Sequence, residues 1–175
     1  MTPPIPTERL DLVSLTPEFL DTTLAGESRE AARLLGARLP DVWPSLADTQ
    51  RVFLERLRAD AALAAWSLRA IVLRAEHLMV GHVGFHDAPT PDGVELTYTV
   101  FAPFRRRGYA REACLTLIDW AQREHGVERF VVSIAPANAP SLAVARMLGF
   151  RRIREAVDEV DRPEHVFELR AGALR

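Results

Sequence analysis

Between positions 94 and 100 the chain reads VELTYTV, with strict alternation. Val94, Leu96, Tyr98 and Val100 share one face, while Glu95, Thr97 and Thr99 share the other. That period of two predicts a half-buried strand. Upstream, WSLRAIVLR (66–74) and LMVGHVGFH (78–86) are apolar runs joined by a short polar connection, which predicts an antiparallel hairpin. RLDLVSL predicts an earlier strand, and helical material follows from about 17 to 39. Two prolines in LPDVWPSL break it, and a second helix is expected over 48–60. Downstream, Ala110, Ala113, Cys114, Leu117, Ile118 and Ala121 fall at i, i+3, i+4, i+7, i+8 and i+11, a single apolar stripe ended by Gly126. RFVVSIA predicts a buried strand, 140–148 a short helix, and 151–157 and 165–169 two closing strands. The order of strands, helix, strand, helix and strands predicts an α/β fold with a mixed sheet and helices on its faces.

Composition narrows the function. The 175 residues suit one domain over 1–175; 48% hydrophobic, 26% charged and a net charge of −2 describe an ordinary globular chain. No apolar run reaches the roughly 18 residues of a membrane span, and the start MTPPIPTERLDL lacks the regions of a signal peptide, so a cytoplasmic protein is expected. Cys114 is the only cysteine, which excludes an intramolecular disulfide and any multi-cysteine metal site. All 22 basic residues are arginine, so Walker A loops and pyridoxal Schiff bases, which need lysine, are excluded.

The segment RRRGYA, from Arg105 to Ala110, lies between a strand and an amphipathic helix. Free N–H groups and the macrodipole favour an anion at such a terminus. Gly108 permits close backbone approach and Ala110 leaves the first turn uncrowded. A pyrophosphate suits this geometry, with Arg105, Arg106, Arg107 and Arg111 adding local positive charge. A solvated arginine face is the plain alternative. Nucleic acid is disfavoured by the negative net charge and by the lack of a basic stripe interleaved with aromatics.

Arg105, Gly108 and Ala110 match the pattern Arg/Gln-x-x-Gly-x-Gly/Ala, so the segment, Tyr109 included, resembles the acetyl-CoA motif of the GNAT N-acetyltransferases. ELTYTVFAPFRRRGYAREA and NAPSLAVARMLGF, with Asn138, Ser141, Leu148, Gly149 and Phe150, resemble the RimJ/RimL-like branch, as does the opening TERLDLVSLTPEF. The resemblance implies a GNAT fold: a mixed, mostly antiparallel central sheet flanked by helices, with a splayed strand pair holding acetyl-CoA. It implies acetyl transfer to a primary amine, in that branch a protein or peptide N-terminus. A small-molecule amine is the alternative acceptor, and an acyl-CoA-binding module with little catalysis is the alternative of another class. No metal, membrane or nucleic-acid partner is expected, and a homodimer is left open.

The sequence departs from the branch at Arg106 and Thr97, where glycine is common, and Ala145 stands where many GNAT enzymes carry an acidic tyrosine. The resemblance further implies that N–H groups near Val100 and Phe101 bind the pantetheine arm and polarise the thioester, a donor role that typically contributes about 3 kcal/mol. Glu95 is the candidate base and Ser141 the candidate group steadying the thiolate. Their structural alternatives are a solvent-facing strand carboxylate and a first-turn helix residue. Asn138 is expected to cap its helix and, by the resemblance, to meet the pantetheine amides. Cys114 is read as a buried thiol, and His82 and His86, on one strand face, lack a third metal ligand. Trp43 is read equally as an acceptor contact or a core residue.

Overall fold

The computed structural model describes residues 3–158 and 161–172. Its strands are β1 (Ile5–Pro6), β2 (Leu10–Ser14), β3 (Arg69–Leu73), β4 (Leu78–Phe85), β5 (Val94–Val100), β6 (Arg129–Ile134), β7 (Arg151–Val157) and β8 (Pro163–Arg170). They form one sheet in the order β1-β2-β3-β4-β5-β6-β8-β7. Neighbours are antiparallel except β5 and β6. The helices are α1 (Pro17–Leu24), α2 (Ser28–Leu35), α3 (Ala47–Ala59), α4 (Tyr109–His125) and α5 (Ala139–Met147).

Two apolar clusters separate the layers. One joins α4 and α5 to Val83, Phe85, Leu96, Phe130 and Val132. The other joins α1–α3 to Leu68, Ala70, Val72 and Met79 on the opposite face. Central strands are therefore covered on both sides: β4 buries every residue after Leu78. The α4 stripe is buried as its spacing predicts, with Ala113, Cys114, Leu117, Ile118 and Ala121 at 1% exposure or less. Truncating a core position such as Leu117 to alanine typically costs about 2–5 kcal/mol.

The helical material expected over about 17–39 is two helices that end at Leu35. Thr16 caps α1, its Oγ1 accepting from Phe19 N at 3.2 Å. Gly26, at φ 79°, turns the chain before α2 begins. Positions 36–42 are not helical; Arg38 instead bridges to Leu78. The two-residue β1, which follows Pro4 and ends on Pro6, escaped the periodicity because two residues carry no pattern; it pairs Ile5 with Leu12. No helix of the described residues is long and apolar enough to cross a membrane.

Candidate active site

A fork opens in the middle of the sheet. β5 and β6 pair in parallel only at Val94↔Phe130 and Glu95↔Val131. Beyond that point β5 continues along β4 and β6 along β8. His86 N donates to Glu95 O (2.9 Å) and Phe101 N to Val80 O (3.0 Å). Backbone groups of a strand alternate sides, so the odd-numbered residues of β5 address β4, and Leu96, Tyr98 and Val100 address the gap. The Val100 N–H thus points into the fork. Phe101 requires a correction: its N–H is committed to Val80, and its ring is buried beside Trp43, centroids 6.3 Å apart. The strand therefore offers the cleft one of the two donors named from the sequence.

The loop from β5 folds back to the open end of this fork. Arg105 Nε donates to Val100 O at 2.9 Å, so this side chain secures the strand end as well as carrying charge. Arg106 lies at φ 63° and Gly108 at φ 83°. The arginine thus adopts the left-handed backbone that a glycine would take there. Left-handed residues separated by one ordinary residue turn successive N–H groups toward a common side, a geometry suited to anions. Gly108 precedes α4 without any side-chain cap, and the first bond of the helix runs from Glu112 N to Gly108 O (3.0 Å). The N–H groups of Tyr109, Ala110 and Arg111 are thereby left without intrahelical partners. Arg105, Arg106 and Arg107 are all exposed around this terminus.

A second layer of contacts holds the terminus in place. Glu112 accepts from Thr7 Oγ1 (2.5 Å), Arg9 N (2.8 Å) and Arg9 Nε (2.8 Å). The Arg9 guanidinium also lies 4.8 Å from the centre of the buried Tyr109 ring. Burial raises the Glu112 pKa, but the hydrogen bonds from Thr7 and Arg9 outweigh it and hold the carboxyl below its ordinary range. Tyr109 thus contributes a backbone N–H at the helix start, while its ring serves packing. Sequence reading missed Thr7, Arg9 and Glu112 as a unit. The local signal was an acid in the first turn of a helix, a favourable place for negative charge.

Asn138 caps α5, its Oδ1 accepting from Ser141 N at 3.2 Å. Ser141 O accepts from Tyr98 Oη at 2.9 Å, which ties α5 to β5 across the open end of the fork. Burial pushes the Tyr98 phenol above its ordinary range, and Cys114 beside it adds to the rise. Tyr98 therefore stays protonated and donates. On the opposite face of β5 Glu95 is half-buried. Glu164 lies within its field: burial first, then the charges of Glu95 and Asp158, raise the Glu164 pKa. Sequence reading had no route to Glu164, because only strand pairing brings β8 toward β5. Tyr98 was visible as the one hydroxyl on an apolar face.

Three other residues resolve into structure. Trp43 is fully buried, packed 6.0 Å from Phe19 and 6.2 Å from His82, so its acceptor-contact reading gives way to core packing. His82 is enclosed by Trp43 and Phe101, and burial lowers its pKa to about 4. Cys114 is fully buried, and burial pushes its thiol far above the range of a reactive nucleophile.

A profile of the acetyltransferase (GNAT) domain matches residues 9–151. YjdG, an uncharacterised N-acetyltransferase of Bacillus subtilis (strain 168), is 27% identical over 147 residues, 82% of this chain and 87% of its own. YnaD, another uncharacterised N-acetyltransferase of that organism, is 27% identical over 82 residues, 47% of this chain and 48% of its own. The structure of RimL, a ribosomal L7/L12 alpha-N-protein acetyltransferase in complex with coenzyme A, superposes with a TM-score of 0.68 at 19% identity, covering 97% of this chain and 99% of that one. At that identity the likeness establishes the fold alone. The domain match, joined to the forked sheet and the uncapped helix behind it, shows that the chain belongs to the GNAT acetyltransferase family.

Proposed function

We propose that this chain transfers acetyl from acetyl-CoA to a primary amine, the α-amino group of a protein or peptide, in the manner of the RimJ/RimL-like branch. The observation that carries this reading is the fork. Parallel pairing of β5 and β6 stops after two residue pairs, and the uncapped start of α4 follows at the same end. When bound, acetyl-CoA supplies an activated thioester. The N–H groups at Gly108, Tyr109 and Ala110 hold its pyrophosphate, with Arg106 and Arg107 around it. The Val100 N–H meets the pantetheine or polarises the thioester carbonyl, and Asn138 offers its amide nitrogen while its Oδ1 caps the helix. Ser141, fixed by Asn138 and Tyr98, steadies the departing thiolate.

An attacking amine must be neutral, and an α-amino group, with a pKa near 8 against about 10.4 for lysine, needs the smaller push. Glu95 takes that proton, directly or through a water. Glu164 stands within its field, its own pKa raised by burial first and then by the charges of Glu95 and Asp158. The RimL likeness favours a peptide α-amine as acceptor.

Thiol release against N-terminal peptides and small amines, with coenzyme A affinity measured in parallel, tests the reading. Glu95→Gln is expected to lower kcat about 10²-fold or more with affinity unchanged, and Ser141→Ala to act in the same direction more weakly. Turnover restricted to small amines would move the acceptor to the other enzymatic reading. Tight binding with no turnover on any acceptor would leave an acyl-CoA-binding module.

A further inference from the structure

A groove of about 400 Å³ lies at the far end of α4, lined by Pro3, Pro4, Ile5, Pro6, Arg69, Trp120, Glu124 and His125. The rise of the 17-residue helix puts its lining residues roughly 18–25 Å along the axis from Gly108, well away from the fork. At its base sits a cation with little to hold it. Arg69 is 1% exposed, and its Nε and Nη1 have no hydrogen-bond partner among the described residues. Nη2 reaches only Ala65 O, at 3.4 Å. The guanidinium lies 5.3 Å from the centre of the Trp120 ring, in an aromatic nest completed by Trp66 and His125. No described carboxylate forms an ion pair with it; Glu124 stands exposed on the groove wall. A buried guanidinium left this way is unfavourable, and a leucine or methionine would fill the space at lower cost if packing were its only task.

We propose that this groove binds a small monocarboxylate with an apolar body, the carboxylate completing Arg69 and the body lying against Trp120, Ile5 and the prolines. A single charge is specified because Glu124 repels a second negative charge at the wall. Arginine's planar fork matches a carboxylate, and the aromatic and proline walls supply apolar area without side-chain ordering. A free organic acid and the C-terminus of a peptide both carry this chemistry.

Tryptophan fluorescence provides the test, since Trp120 lies against Arg69 and Trp66 packs on Trp120, while Trp43 lies in the other cluster. The probes are 3-phenylpropanoate, the peptide acetyl-Ala-Phe with a free C-terminus, its C-terminal amide, and inorganic phosphate. A saturable change near about 1 mM is expected with either carboxylate, and none with the amide or with phosphate. A response to the acid alone assigns a metabolite; a stronger response to the peptide assigns a chain terminus. Arg69→Met should fold, melt at the same or a higher temperature, and lose the response. Pro4→Glu, a surface change that places a carboxylate at the groove, should weaken binding at least about tenfold and serves should Arg69→Met fail to fold. No response to either carboxylate, or an undiminished response in both variants, would overturn the proposal.

Discussion

Arg106 and Gly108 share a backbone conformation but differ in what it costs them. A side chain in the left-handed region is strained by about 1 kcal/mol, and glycine is not. Arg106→Gly should therefore stabilise the fold by about 0.5–1 kcal/mol, raising Tm by roughly 2 °C, while removing one charge from the loop before α4. Its coenzyme A affinity should fall only a few-fold and lose part of its salt dependence. Gly108→Val should do the reverse. An added Cβ at Gly108 meets Arg9 Nη2 at 3.3 Å, the end of a flexible side chain, so the fold can yield there. The valine is nonetheless strained at φ 83° and crowds the N–H groups of the first turn. Severe loss of coenzyme A affinity with a folded protein is expected from calorimetry and circular dichroism. Unchanged affinity would return RRRGYA to a row of solvated arginines.

At the scale of elements, the site depends on how α4 and α5 are fastened to a sheet that has opened beneath them. The Tyr98 hydroxyl on Ser141 O is one such fastening. Tyr98→Phe should cost about 1 kcal/mol of stability, and should lower kcat by shifting Ser141 while leaving coenzyme A affinity in place. In a double-mutant cycle the kinetic effects of Tyr98→Phe and Ser141→Ala should be less than additive; full additivity would separate Tyr98 from the catalytic side. Much of this scaffold was legible in the sequence. VELTYTV falls on β5 at both ends because alternation is a local property of a strand, and α4 ends at Gly126, which takes φ 66°. Asn138 capping α5 was likewise a local signal. What could not be read lies in pairings between distant segments. Glu164 meets the field of Glu95, Thr7 and Arg9 meet Glu112, and Phe101 commits its N–H to β4 only because of the tertiary register. Trp43 was ambiguous for the same reason: a proline-rich loop reads as surface until α1 and β4 enclose it.

For the whole molecule, the layer of α1–α3 is joined to the sheet through a cluster that contains a histidine. His82 is 4% exposed, ringed by Trp43 and Phe101, with Nδ1 unpartnered among the described residues. Burial lowers its pKa to about 4, against an ordinary value of 6.5. Between those values the unfolded chain holds a proton that the folded chain refuses. Stability is therefore fully present above about pH 6.5 and is lost as pH falls toward 4, by up to about 1.4 kcal/mol per unit. The other shifted groups can be told apart from it. Glu112 and Glu168, depressed below the carboxylate range, begin to cost stability only under about pH 4.5. Glu164, raised, contributes with the opposite sign, since its stabilising proton is lost as pH rises. Urea unfolding at intervals from pH 7.5 to about 3.5 should thus show a steady decline beginning near 6.5, and His82→Leu should flatten that decline without altering the carboxylate-driven loss below about 4.5. A flat wild-type profile between pH 7 and 5 would mean that His82 takes up its proton in the folded state. The cluster joining the two layers would then be open to water.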